Sequence, residues 1–175
     1  MPLTLTSLNL SHNQLTSLDS IGVLCHLQEL DVGYNFLTSL DGLVPVHRTI
    51  QTVVARNNRI RSLSGVEALK SLRALDVQNN DISHLEDLRP LGSLRLERLG
   101  IKGNKVALLT PCRSFCVGLI PTLALLDGEK TPTPLSPAKR SGRLALLQDI
   151  RRFMHENDQQ EAVDVNVGQE EEQEP

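Results

Sequence analysis

Five asparagines punctuate the chain at near-constant intervals: Asn13, Asn35, Asn58, Asn80 and Asn104, spaced by 22, 23, 22 and 24 residues. Each closes a segment of one form: "LTSLNLSHN", "LQELDVGYN", "IQTVVARNN", "LRALDVQNN" and "LERLGIKGN". A unit this short cannot bury its apolar side alone, so such a chain must stack its repeats into an array. In each segment one pair sits two residues apart: Leu8/Leu10, Leu30/Val32, Val53/Ala55, Leu75/Val77 and Leu99/Ile101. That spacing puts both side chains on one face of a strand. Stacked strands in register make a parallel sheet on the inner wall. The asparagine falls where the chain leaves the strand, and its amide can satisfy backbone groups that the bend leaves unpaired. All five are expected to be buried between layers and structural.

The second half of each unit repeats at a shorter period. Leu15, Leu18, Ile21 and Leu24 recur every three residues, which fits short 3₁₀ turns better than long helices. The core must be aliphatic. The chain has 175 residues with one Tyr, three Phe and no Trp: Tyr34, Phe36, Phe115 and Phe153. The fold class expected is a right-handed solenoid with a parallel concave sheet and 3₁₀ turns on the convex side.

These segments fit the leucine-rich repeat pattern L-x-x-L-x-L-x-x-N-x-L. The chain resembles the subfamily of 22-residue leucine-rich repeats that includes a protein phosphatase 1 regulator, the A′ protein of the U2 spliceosomal particle and the leucine-rich light chain of axonemal dynein. A second motif carries the resemblance. Members end in a cap of the form R-x-x-V-I-x-x-L-P-x-L-x-x-L-D-G, and "RSFCVGLIPTLALLDG" matches it at Arg113, Pro121, Leu123, Leu126, Asp127 and Gly128, with Cys116 where Val is usual. The resemblance covers about residues 3–128. It implies five repeats over 1–109, a cap over 110–128, and a non-enzymatic adaptor, possible homes being cytoskeletal or ciliary complexes, phosphatase regulation or spliceosomal assembly.

Residues flanking the buried pairs face out from the concave wall and fall in four columns. The first is Ser7, Glu29, Thr52, Ala74, Arg98; the second is Asn9, Asp31, Val54, Asp76, Gly100. The third is Ser11, Gly33, Arg56, Gln78, Lys102; the fourth is His12, Tyr34, Asn57, Asn79, Gly103. Acid is concentrated early (Glu29, Asp31, with Asp76 central) and base late (Arg98, Lys102), with Arg56 between. Sorted charge can orient a protein partner, and Tyr34 is the natural anchor. Glu29, Asp31, Tyr34, Arg56, Asn57, Asp76, Asn79, Arg98 and Lys102 are therefore the candidate partner-binding residues.

The residues give no pattern of catalysis, and no cofactor or metal is expected. "GIKGNK" lacks the spacing of a phosphate loop, and Cys112 and Cys116 form C-x₃-C without two further ligands at zinc spacing. Residues 1–128 carry a net charge of +1, without the basic patch that nucleic-acid binding needs. No apolar run reaches the roughly 18 residues of a membrane span. Three cysteines, an odd number, argue for a reducing compartment, hence a cytoplasmic or nuclear setting.

Beyond the cap, "GEKTPTPLSPAKRSG" reads as a Pro-rich linker over 129–137, with Ser136 of "SPAK" a phosphorylation candidate. Residues 138–155 read as a basic amphipathic helix and 156–175, at −8, as an acidic disordered tail. At the other end the rhythm is already running by Leu5. An end layer without a cover invites a second contact or self-association at that edge, or upstream residues that would form a cap.

Overall fold

The computed structural model describes residues 4–132. The linker from residue 133, Ser136, the expected helix 138–155 and the acidic tail 156–175 lie outside the described residues. Among the described residues seven short strands form one sheet in chain order: β1 Ser7–Asn9, β2 Glu29–Asp31, β3 Thr52–Val54, β4 Ala74–Asp76, β5 Arg98–Gly100, β6 Leu125–Leu126 and β7 Glu129–Lys130. The first six are parallel. Their register pairs Ser7, Glu29, Thr52, Ala74 and Arg98 in one row, which is the first column expected from the repeat. The returning segments form 3₁₀ turns at Asp19–Val23, Asp41–Val46, Val66–Ala68, Leu85–Ser93 and Lys105–Leu108. Period-three leucines and valines bury one side of these turns, as Leu40, Leu43 and Val46 do in the second repeat.

The asparagines knit the layers. Asn58 lies 9% exposed; its Nδ2 donates to the carbonyls of Val32, one repeat back, and Ala55, both at 3.0 Å. Its Oδ1 accepts the Leu37 N–H at 3.0 Å. Asn35, Asn80 and Asn104 make the same three-way connection. Asn13 departs from expectation. It is exposed and bonds only to Leu10 and Ser11 of its own repeat, because no described layer precedes it.

The C-terminal cap begins with α1, Cys112–Leu119, which buries Phe115, Cys112 and Cys116. Asp127, at the end of β6 and in register with Gly100, then closes the last described layer. It sits at φ 52, and its Oδ1 accepts the Ile101 and Lys102 N–H groups at 2.7 and 2.8 Å. With Gly128 at φ 82, the chain reverses so that β7 pairs antiparallel with β6. Arg113 holds the hairpin from α1, ion-paired to Glu129 at 3.0 Å and donating to the Lys130 carbonyl at 3.3 Å. Glu129 and Lys130, read from sequence as the start of a linker, are thus a strand of the sheet.

Burial also decides the cysteine chemistry. Cys25 is exposed, whereas Cys112 and Cys116 are buried and unbridged. The two cap thiols hydrogen-bond to each other; donation to Cys112, then burial, raises the pKa of Cys116 well above the ordinary thiol range. The shared proton lowers that of Cys112 against the opposing effects of burial and Asp127. A thiol reagent should therefore titrate Cys25 rapidly in the native protein and the other two only after denaturation. Rapid labelling of all three without denaturant would mean that the cap is open.

Candidate functional site

The outward face of the sheet is hollowed over β3–β6. A shallow recess of about 320 Å³ lies there, with Val54, Ala74 and Gly100 along its floor and Thr52, Asp76 and Arg98 around it. The hollow follows from local sequence. Ala74 and Gly100 put little or no side chain where neighbouring repeats carry larger residues. A Cβ at Gly100 would come within 2.8 Å of both Asp76 Oδ1 and Gln78 Nε2, so the glycine lets those two side chains fold across the strand.

The second-column acids do two jobs. Asp31 Oδ1 accepts the Gly33 N–H at 2.9 Å and Asp76 Oδ1 accepts the Gln78 N–H at 3.0 Å, tying off the end of each strand. The second oxygen of each carboxylate is not engaged by any hydrogen bond to the described residues. Glu29, Arg56, Arg98 and Lys102 are exposed. None of these charged candidates belongs to an ion pair among the described residues; the pairs formed there are Arg73–Glu97, Arg89–Glu86 and Arg113–Glu129. The acidic-to-basic sorting along the wall is thus left open to solvent.

The fourth column lies at the edge where the chain turns out of the sheet, and it does not line the hollow. Its members adopt left-handed backbone: His12 at φ 57, Tyr34 at 56, Asn57 at 55, Asn79 at 52 and Gly103 at 80. Asn and Gly tolerate that conformation; a bulky Tyr is disfavoured in it. Tyr34 is held by its neighbours. The His12 ring stacks on it at 4.2 Å and 11°, and the Arg56 guanidinium lies 5.8 Å from its centroid. Asn79 Nδ2 donates to Asn57 Oδ1 at 3.2 Å, so these two expected contact residues first contact each other. The structure adds two residues that the sequence reading did not single out, His12 and Phe36. Phe36 is 41% exposed, with the Arg59 guanidinium 4.7 Å from its ring centroid. A signal existed: the other repeats carry Gln14, Arg59, Asp81 and Lys105 in that register, so Phe36 stands alone as an apolar residue among polar ones.

Among the described residues no group of His, Cys, Asp and Glu is placed to hold a metal ion, and no helix is long and apolar enough to cross a membrane.

Comparison with known proteins fits this geometry. The family description "Leucine Rich repeats (2 copies)" matches residues 4–45, and "Leucine Rich repeat" matches residues 64–84. No curated protein matches by sequence. Among solved structures, a chain from the Drosophila melanogaster SNF/U2A′ complex superposes with a TM-score of 0.70 at 26% identity, over 89% of this chain and 87% of that one. Internalin C2 of Listeria monocytogenes gives 0.59 at 25% identity, over 69% and 50%. A leucine-rich repeat protein of Leptospira interrogans gives 0.59 at 26% identity, over 82% and 36%. The chain thus spans half or less of the two bacterial proteins.

Proposed function

We propose that the chain, whose fold is a leucine-rich repeat solenoid with an open parallel sheet, is a non-enzymatic scaffold that holds another protein across its concave wall. The observation that carries this reading is the hollow over β3–β6, whose small-residue floor admits close approach while Asp76 and Arg98 offer opposite charges at its margin. Glu29 and Asp31 at one end and Lys102 at the other extend that polarity and would set the direction in which a partner lies. The near full-length likeness to a chain of the SNF/U2A′ complex supports an assembly role of that kind, ahead of phosphatase regulation or a cytoskeletal or ciliary complex. A cytoplasmic or nuclear location goes with it, without a membrane or nucleic-acid partner.

A photo-crosslinking residue at position 98, in the hollow, should capture a protein that the same residue at position 89, on the exposed convex turn, does not. Ala74→Arg, which fills the floor, should weaken that capture by about 2 kcal/mol while leaving the fold intact. Capture from position 89 alone, or indifference to Ala74→Arg, would overturn the reading.

A second contact is proposed at β1. Leu8 and Leu10 are only half-buried and Leu5 is 41% exposed, whereas their counterparts Leu30 and Val32 are buried. Self-association through this edge should raise the sedimentation coefficient between micromolar and hundred-micromolar chain. A coefficient that does not change with concentration removes it.

A further inference from the structure

We propose that the turn edge joining the second and third repeats docks an extended acidic segment of a partner protein, on a surface separate from the concave hollow. Tyr34 and Phe36 flank the inward-pointing Asn35 and are 45% and 41% exposed. The chain has only four aromatic residues, and two of them are placed at this one turn, outside the core. Folding does not require either. Tyr34 occupies a left-handed register where Asn57, Asn79 and Gly103 serve in later repeats, and Phe36 occupies a polar register.

What the two rings do is carry cations. Arg56 lies by Tyr34 and Arg59 over Phe36, each reaching back from the following repeat. Residues 42–66 contain Arg48, Arg56, Arg59 and Arg61 and no Asp or Glu. Arg56 and Arg59 take no part in any ion pair among the described residues. Asp31, in register with Val54, and Asp81, which follows Arg59 in its register, form no ion pair with these arginines, and Asp31 already spends an oxygen on the Gly33 N–H. A guanidinium lying against a ring keeps its planar fork of donors directed outward, the geometry that a carboxylate matches with two hydrogen bonds. The half-exposed Phe36 adds an apolar contact beside it. An extended peptide carrying Glu or Asp alternating with apolar side chains has the matching chemistry.

Single-stranded nucleic acid is the competing ligand for arginines among aromatics, because bases stack on open rings. Here one face of each ring is already taken: His12 lies parallel on Tyr34, and Arg59 lies over Phe36. A base would compete with these groups for the rings, whereas a carboxylate uses the stacks as they stand.

The test uses the full chain and fluorescence anisotropy with a labelled peptide of about twelve residues alternating Glu with Leu. The comparison probes are the same peptide with Gln for Glu and an oligouridylate of equal length. The acidic peptide should bind, and more weakly as salt is raised. Arg56→Gln/Arg59→Gln should weaken it by about tenfold. Tyr34→Asn should weaken it too, with an unchanged melting curve, since Asn serves at that register in two other repeats. Ala74→Arg should leave the peptide bound, which separates this edge from the concave wall. Equal binding of the neutral peptide, tighter binding of the oligouridylate, insensitivity to the arginine and tyrosine variants, or loss with Ala74→Arg would each overturn the proposal.

Discussion

Asn58→Ala should lower the stability of the protein by about 3 kcal/mol, while Asn13→Ala should change it by less than about 0.5 kcal/mol. The two residues hold the same place in the repeat and differ in what surrounds them. Asn58 is buried and joins three backbone groups: the Val32 and Ala55 carbonyls and the Leu37 N–H. Two of these belong to the preceding repeat. Alanine leaves them inside a dry seam, and each orphaned group costs about 1–3 kcal/mol. Partial relaxation makes the total less than the sum. Asn13 is exposed and its carbonyl bonds can pass to water. Urea unfolding followed by circular dichroism would read the difference, as would a fall in melting temperature of about 10 °C for Asn58→Ala. Equal effects at the two sites would show that the asparagines stabilise only their own turns and do not link layers.

That contrast marks how far the sequence can be read. The register of the sheet was legible because it is set by a local pattern repeated five times: the rows Ser7–Glu29–Thr52–Ala74–Arg98 and Asn9–Asp31–Val54–Asp76–Gly100 follow from the alignment of the asparagines alone. The 3₁₀ turns followed from period-three leucines. The hollow was partly legible, since Ala74 and Gly100 are small at outward positions. Features that depend on neighbours in space were not. Asn13 carries the motif with no described layer before it, and it is exposed. β7 forms because Asp127 and Gly128 reverse the chain and Arg113, seventeen residues away, holds the strand in place. His12 was a column member with no assigned role until its ring was found parallel to Tyr34, twenty-two residues on.

The same reasoning separates the two candidate surfaces. The concave hollow is built by what is missing, the side chains at Ala74 and Gly100. The turn edge is built by what is added, Tyr34 and Phe36, at positions where the other repeats use residues better suited to the backbone or to water. An array of near-identical layers needs neither deviation to fold. Deviations from the repeat that bring no gain in packing are therefore where recognition is expected.

Gly42→Ala should destabilise the protein by about 2–3 kcal/mol. Two effects oppose each other at this residue. Gly42 lies within the 3₁₀ turn Asp41–Val46, away from the left-handed region, so alanine would be accepted by the backbone. Reduced freedom of the unfolded chain alone would then make the variant more stable, by about 0.4–1 kcal/mol. Packing acts the other way. A Cβ at Gly42 would stand 2.6 Å from the Leu18 carbonyl carbon, 2.7 Å from the Leu18 Cβ and 2.8 Å from the Leu18 oxygen. That oxygen accepts the Ile21 N–H at 3.1 Å, the bond that opens the first convex turn. Relief therefore requires moving one backbone turn away from another, and no side-chain rotation can supply it. Gly65, one repeat on, provides the comparison. There a Cβ would meet the Asp41 Oδ1 at 2.5 Å, a carboxylate that can swing aside, so the cost is left to the backbone at φ 88, about 1–2 kcal/mol. Overpacking against main chain should win at position 42, and the Gly42 variant should melt below both the wild type and Gly65→Ala. A Gly42→Ala protein at or above wild-type stability would mean that the first two convex turns stand further apart than this packing requires.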